Sequence, residues 1–183
     1  MSVDGKVIDN AQLTAGLGYV KSAFIGDNFN EFKASKTSDG TSWGAVYAQF
    51  MQKVSEVESA SSGLKVTREV MGASQPLKIG DKIRVRITIE AERDYDFVQV
   101  VDKRAACLEP IGQLSGYHWG YYRVHKDNVT NYYFDRLSKG KHQIESEYYV
   151  DRLGTYQTGT CTVQCAYSPE FMAREAGKVL DVK

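Results

Sequence analysis

The chain has 183 residues and a formal net charge of zero, with 42% hydrophobic and 25% charged residues. This balance allows one large folded domain, or one domain with a smaller appendage, and it excludes wholesale disorder. A neutral chain gives no electrostatic reason to expect nucleic acid as a partner, and its apolar runs are too short for insertion into a membrane. Residues 1–10 lack the basic start and apolar run of a signal peptide. We therefore expect either a cytoplasmic protein or a fragment of an exported one.

The first third of the chain gives a mixed pattern. Its beginning is rich in Gly, Asn, Asp and Ser, which favours a few short strands separated by turns. Residues 43–52 concentrate Trp, Val, Tyr and Phe and are predicted to form a strand. A helical stripe is the alternative, and it would contain Val46, Phe50, Val54 and Val57. Residues 59–63 (SASSG) are typical of a linker. We expect a β segment with a linker over residues 1–63 and a β-sandwich domain over 64–183.

Residues 64–171 show one strand pattern after another. The clearest alternation places Ile83, Val85, Ile87 and Ile89 on one face and polar residues on the other, so these four side chains are predicted to lie in the core. Residues 64–71 and 142–150 alternate in the same way, and 117–124 and 129–137 are rich in aromatic and β-branched residues. These four stretches and residues 97–101 and 160–167 are also predicted to form strands. About seven short strands at regular spacing are typical of an antiparallel β-sandwich.

Few residues indicate catalysis or metal binding. Thioester proteins place a Gln three residues after the reactive Cys, but the third residue after Cys107 is Pro110, which has no amide. None of the three histidines has a spacing typical of a zinc site, and no nucleophile elbow or phosphate-binding glycine loop occurs. The sequence therefore predicts no catalytic, cofactor-binding or metal site, although carboxylates on separate strands could still form an acid–base pair.

Two further features leave alternatives open. Cys161 and Cys165 would lie roughly 13 Å apart on one strand, too far for a disulfide, so either of them could pair with Cys107. The aromatic run from Tyr117 to Tyr122 fits the packing of a sandwich, and it also fits a surface that stacks sugars or peptides.

Several ordered blocks resemble the last macroglobulin-like domain of bacterial α2-macroglobulins, a family of protease-trapping proteins. They include GDK at 80–82, AACLEP at 105–110, NYYFDRL at 131–137 and YSPE at 167–170. The resemblance covers residues 64–172. The stretch around residues 42–47 is similar to the β segment that leads from the thioester domain into that final domain.

This resemblance implies a macroglobulin or fibronectin-III-like sandwich that acts as a non-catalytic interaction domain. The full protein would be exported to the periplasm or cell envelope, often with a lipid anchor. Its partners would be other domains of the same polypeptide and, through the full-length protein, trapped proteases.

In the family a Met-Tyr pair before x-Pro-Glu helps to shield a thioester. The corresponding residues are Ala166 and Tyr167, of which Tyr167 keeps the aromatic ring and Ala166 departs from the pattern. The resemblance also implies that Cys107 and Cys165 lie close enough to form a disulfide, which exported proteins tolerate.

Two other functions remain as alternatives. A free-standing sandwich could bind carbohydrate or peptide through residues 117–122, and an exposed aromatic platform would favour that function. An enzyme such as a glycosidase would instead need two convergent carboxylates in a cleft. A filled sandwich without a deep pocket would favour the interaction domain.

Overall fold

A computed structural model describes residues 2–7, 21, 23, 25, 30–36, 39–72, 75–112 and 114–183. By internal contacts the chain divides into two units, Met1–Ala48 and Gln49–Lys183. Much of the N-terminal segment, including residues 8–20, lies outside the described residues. Each unit is therefore described by itself.

The first unit contains a small antiparallel sheet. Its strands are β1 (Ser2–Val3), β2 (Lys6–Val7) and β3 (Phe32–Lys33), with β1 in the centre. The turn between β1 and β2 uses Asp4 and Gly5 at positive φ values of 46° and 77°, a conformation typical of tight hairpins. The Asp4 carboxylate also accepts backbone hydrogen bonds from Asn30 and Glu31 at 3.0 and 2.8 Å. These bonds hold the turn against the chain that leads into β3.

The second unit is a β-sandwich preceded by a short 3₁₀ turn over Val54–Glu56. In chain order its strands are β4 (Ala60–Ser62), β5 (Leu64–Met71), β6 (Lys82–Ala91), β7 (Tyr95–Lys103), β8 (Leu108–Pro110), β9 (Gly116–His118), β10 (Tyr121–His125), β11 (Val129–Leu137), β12 (Gly140–Val150), β13 (Gly154–Gln157), β14 (Cys161–Cys165), β15 (Met172–Glu175) and β16 (Val179–Val182). One sheet has seven strands in the order β4-β15-β14-β7-β11-β10-β9, and the other has four in the order β5-β6-β12-β8. β13 and β16 form a two-stranded sheet beside them.

The core lies between the two larger sheets and follows the predicted alternation. The four residues of β6 predicted to point inward are all buried: Ile83, Val85, Ile87 and Ile89. Val98 and Val100 of β7 face them from the seven-stranded sheet and are also buried. The prediction of an all-β antiparallel sandwich with this core is confirmed. The described residues contain no α-helix, and no helix among them is long and apolar enough to cross a membrane.

Three stretches of the chain have a structure that differs from the one predicted for them. Residues 43–52 contain no strand, and Trp43 and Tyr47 are exposed, because aromatic content alone supplies no partner strand for hydrogen bonding. Residues 60–62, predicted as linker, form β4 at the edge of the seven-stranded sheet. The predicted strand over 117–124 is divided into β9 and β10 by a turn in which Gly120 has a φ of 85°.

One ion pair is buried between the sheets. Arg68 of β5 occupies an inward position between Val66 and Val70, and its guanidinium meets the Asp102 carboxylate of β7 at 2.8 Å. The same guanidinium donates to Lys103 O at the end of β7 and to three oxygens of the loops that close this end of the sandwich: Thr158 Oγ1, Gly159 O and Ala176 O. Burial raises the pKa of the Asp102 carboxyl, and the adjacent Arg68 charge acts in the opposite direction. Arg68 therefore joins β5, β7 and two connecting segments at one point.

Deleting one methyl group at the centre of β6 tests the predicted core. We expect Ile87→Val to lower the free energy of unfolding by about 0.5–1.5 kcal/mol, because the lost methyl leaves a small cavity in a fully buried site. Ile79→Val removes the same methyl from an exposed turn residue and should change stability by less than about 0.5 kcal/mol. Chemical denaturation of both variants measures the difference, and equal effects would show that Ile87 does not lie in a packed core.

Candidate interaction site at the β14–β15 loop

The loop between β14 and β15 carries the two residues that the family resemblance singles out. β14 ends at Cys165, and residues 166–171 form a tight loop before β15 returns antiparallel to it. The Cys165 N–H donates to Phe171 O at 3.1 Å, and the Phe171 N–H donates to Ser168 O at 3.0 Å. The chain therefore turns back into the same sheet at Pro169 instead of leaving it, and the return strand was not predicted.

Tyr167 stands at the outside of this loop and is 81% exposed. Its ring contacts the ring of Phe97 edge to face, with centroids 5.2 Å apart and an interplanar angle of 89°. The neighbouring Ala166 N–H donates to Phe97 O at 2.8 Å, which ties the loop to β7. Tyr167 is thus not part of the domain's own core, and it shares an exposed aromatic pair with Phe97.

Phe97 has an unusual backbone conformation for its residue type. Its φ is 54°, which costs a non-glycine residue about 1–2 kcal/mol relative to ordinary strand conformations. The positive φ interrupts the alternation of β7, so that Asp96 and Phe97 are both exposed while Tyr95 and Val98 are buried. The backbone therefore presents a large apolar ring to solvent beside Tyr167. Because the ring is exposed, its burial within this domain does not offset the free energy that the positive φ costs.

The three cysteines are free and buried. Cys165 pairs with Val98 near the start of β7, whereas Cys107 follows the end of β7 and its carbonyl accepts from Asp151 N. β7 alone separates Val98 from Lys103 by roughly 16 Å at about 3.3 Å per residue. Cys107 and Cys165 are both free in this structure, so the disulfide that the resemblance implies is not present in it. Burial raises the pKa of all three thiols, which disfavours the reactive thiolate.

The described residues show few groups suited to catalysis. An open groove beside Gly63 contains Glu90 and Glu92, but the Glu90 carboxylate is 3.9 Å from Lys65 Nζ, and Lys141 lies opposite Glu90 in the sheet register. Glu90 is therefore flanked by two lysines in an exposed charged row. Among the described residues, no three His, Cys, Asp or Glu side chains converge on a position that could hold a metal ion.

Comparison with known proteins identifies the family of the sandwich. The family model described as the bacterial α2-macroglobulin MG10 domain matches residues 51–170. A mutant of Salmonella α2-macroglobulin matches with a TM-score of 0.62 and 22% identity, over 69% of this chain and 10% of that chain. Native Escherichia coli α2-macroglobulin from domain MG7 to the C-terminus matches with a TM-score of 0.60 and 20% identity, over 68% of this chain and 24% of that chain. A search of curated proteins finds no match.

The two kinds of comparison support different statements. The solved structures share the fold at low identity, and this chain spans only about 10% of the Salmonella protein's length. The family model covers more than half of the chain, including every strand from β4 to β14. Residues 51–170 also contain the exposed pair formed by Phe97 and Tyr167. The chain therefore belongs to the bacterial α2-macroglobulin MG10 domain family.

Proposed function

We propose that this chain is a non-catalytic interaction domain of an exported, protease-trapping α2-macroglobulin. It would dock against the thioester domain of the same polypeptide in the periplasm or cell envelope. The observation that carries this proposal is the exposed edge-to-face pair of Phe97 and Tyr167. Exposed aromatic pairs of this kind are enriched at the centres of protein interfaces, where burial of both rings supplies binding energy.

The strained backbone of Phe97 supports a functional contact. A residue in a sparsely populated conformation persists where the surrounding structure holds it, and such residues cluster at binding and switch regions. Here the Ala166 N–H donates to the Phe97 carbonyl, and the Phe97 ring contacts the Tyr167 ring. Docking of a second domain would cover the remaining face of Tyr167 and exclude water from the contact.

The solved relatives support the chemistry of this proposal. One is a Salmonella α2-macroglobulin reacted with methylamine, and two are Escherichia coli proteins activated by trypsin and by porcine elastase. Methylamine is a small nucleophile of the kind that opens a thioester, so a docked aromatic ring that excludes solvent would slow such a reaction. Ala166 covers less area than the methionine typical of the family, so Tyr167 would provide most of the cover.

Replacement of Tyr167 in the complete polypeptide tests the proposal. We expect Tyr167→Ala to increase the rate of methylamine incorporation about tenfold and to increase hydrogen exchange around Phe97, because the docked ring no longer excludes solvent. Tyr167→Phe keeps the ring and should behave like the unchanged protein. Tyr149→Ala removes a tyrosine that is 49% exposed on the opposite sheet and serves as the matched control.

Two results would contradict docking at Tyr167. One is equal exchange and methylamine rates in the Tyr167→Ala and Tyr149→Ala polypeptides. The other is unchanged exchange around Phe97 when the complete polypeptide is compared with the isolated 183-residue chain, since a docked surface must be more protected than a free one.

A further inference from the structure

The outer face of the seven-stranded sheet carries a row of uncharged side chains in exact register. Tyr117 of β9 pairs with Tyr122 of β10, and Tyr122 pairs with Tyr133 of β11. The row continues through Gln99 of β7 and Gln164 of β14. Directly paired residues in neighbouring strands project to the same face, so these five side chains form one line across the sheet. At about 4.8 Å per strand, the line is roughly 19 Å long.

The three tyrosines of this row are open to solvent, with 71%, 45% and 39% of Tyr117, Tyr122 and Tyr133 exposed. The adjacent residue of β11, Tyr132, points inward and is fully buried. Gln99 Nε2 approaches the Tyr133 hydroxyl at 3.5 Å, which places an amide at the inner end of the tyrosine series. The surface therefore combines aromatic rings with hydroxyl and amide groups that can donate and accept hydrogen bonds.

The outer face of the four-stranded sheet is different. There Lys82, Arg84 and Arg86 of β6 form ion pairs with Glu145 and Glu147 of β12 at 2.7–3.6 Å. Such a charged, solvated face is the usual way in which a sheet meets water. The tyrosine row lacks these charges, so solvation alone does not account for its composition.

The chemistry of the row selects among partners. A peptide that adds to a sheet needs free backbone groups, and β10 and β11 are hydrogen-bonded to neighbours on both sides. The free edge of β9 could accept a strand, but a strand added there would lie beside the row and not over it. A charged partner would find no ion-pairing group among the five side chains of the row. A neutral sugar chain meets both conditions, because its C–H faces stack on tyrosine rings and its hydroxyls bond to phenol and amide groups.

We propose that the row Tyr117–Tyr122–Tyr133–Gln99–Gln164 is a binding site for a neutral, β-linked glycan that lies across the strands. Sugars of the glucose type, with equatorial hydroxyls, present the flat C–H faces that the tyrosines would contact. The site is independent of the docking contact proposed for Phe97 and Tyr167, and the domain can have either function without the other.

Titration calorimetry of the 183-residue chain with cellohexaose tests this site. We expect binding with a Kd of about 1 mM or tighter, and a loss of about tenfold in Tyr122→Ala, which removes the central ring of the series. Tyr149→Ala, on the ion-paired face, should bind like the unchanged protein. A hexagalacturonate of equal length should bind at least several-fold more weakly, because its carboxylates would lose water without gaining a cationic partner. Circular dichroism confirms that each variant is folded.

Four outcomes would overturn the proposal. They are no cellohexaose binding up to about 10 mM, equal binding by Tyr122→Ala, equal weakening by Tyr149→Ala, and equal or tighter binding of the charged glycan. If Tyr122→Ala instead increases hydrogen exchange in the complete polypeptide while cellohexaose does not bind, the row is a contact between domains and not a glycan site.

Discussion

Arg68→Met is expected to lower the free energy of unfolding by about 3–5 kcal/mol, since it leaves the Asp102 carboxylate buried without its cation. Methionine can fill much of the space of the arginine stem, so the loss would come chiefly from charge and hydrogen bonding. Arg68 and Asp102 are 2% and 4% exposed in their side chains, so water cannot replace the missing donor without opening the sandwich. Loss of the guanidinium also removes the donor to Gly159 O and Thr158 Oγ1. Urea denaturation with a constant m value measures this change.

Two further variants separate the buried pair from ordinary surface pairs. Arg86→Met breaks a contact with Glu145 that is equally short, at 2.7 Å, but exposed to solvent, and should cost no more than about 1 kcal/mol. The double variant Arg68→Met with Asp102→Leu removes both charges and should recover part of the stability lost in the single variant. If Arg68→Met costs no more than Arg86→Met, the guanidinium does not hold the sheets together as described.

The alternation of residues 64–71 places Arg68 at a core position, but it does not identify the groups that Arg68 contacts. Within residues 64–71 the inward positions are Leu64, Val66, Arg68 and Val70, so the arginine occupies a core register. Its partners come from residues that are 34 to 108 positions away along the chain. Because side-chain pairing over such distances depends on the complete topology, the sequence could place Arg68 inside but could not name what it contacts.

Long strands were predictable and short ones were not. β6 and β12 have ten and eleven residues of alternating polarity, which gives a strong period-two pattern. β11 has nine residues and is rich in aromatic and β-branched side chains, which also favour a strand. β15 and β16 have four residues each, read as MARE and VLDV, and too few positions to show a period. They exist because β14 and β13 offer open edges to pair with, a property of the assembled sheets.

The candidate interaction site was predictable only in part. Pro169 after a strand indicated that the chain leaves the sheet near Tyr167, which is wrong because β15 returns into the same sheet. The resemblance alone supplied a reason to expect the Tyr167 ring at the surface. The role of Phe97 was not predictable, since its positive φ has no sequence signal for a phenylalanine. The Tyr117–Tyr122–Tyr133 row also needed the structure, because the register joins one tyrosine from β11 to two from another hairpin.

Gly63→Val is expected to lower the free energy of unfolding by about 2–5 kcal/mol. Gly63 lies between β4 of the seven-stranded sheet and β5 of the four-stranded sheet, where the chain crosses at a φ of 69°. A left-handed conformation costs a β-branched residue about 1–2 kcal/mol, and overpacking costs typically about 1–3 kcal/mol more. A Cβ at this position would lie 2.4 Å from the Tyr95 hydroxyl oxygen and 2.9 Å from Phe171, so both rings would have to move.

Two comparisons separate the causes of the lower free energy of unfolding in Gly63→Val. One uses a valine at a matched glycine, and the other uses a protein that also carries Tyr95→Phe. Gly116 lies in β9 with open space around its Cα and no positive φ, so Gly116→Val should change stability by less than about 0.5 kcal/mol. Tyr95 also donates to Gly63 O at 2.8 Å, so Tyr95→Phe by itself should destabilise the domain. In the Tyr95→Phe background the hydroxyl is absent, and the added cost of Gly63→Val should become smaller while the cost of the positive φ remains. An unchanged cost in that background would show that the Tyr95 hydroxyl contributes nothing and would leave backbone strain and the Phe171 contact as the causes. Equal effects at Gly63 and Gly116 would refute the crossing as a constrained point of the fold.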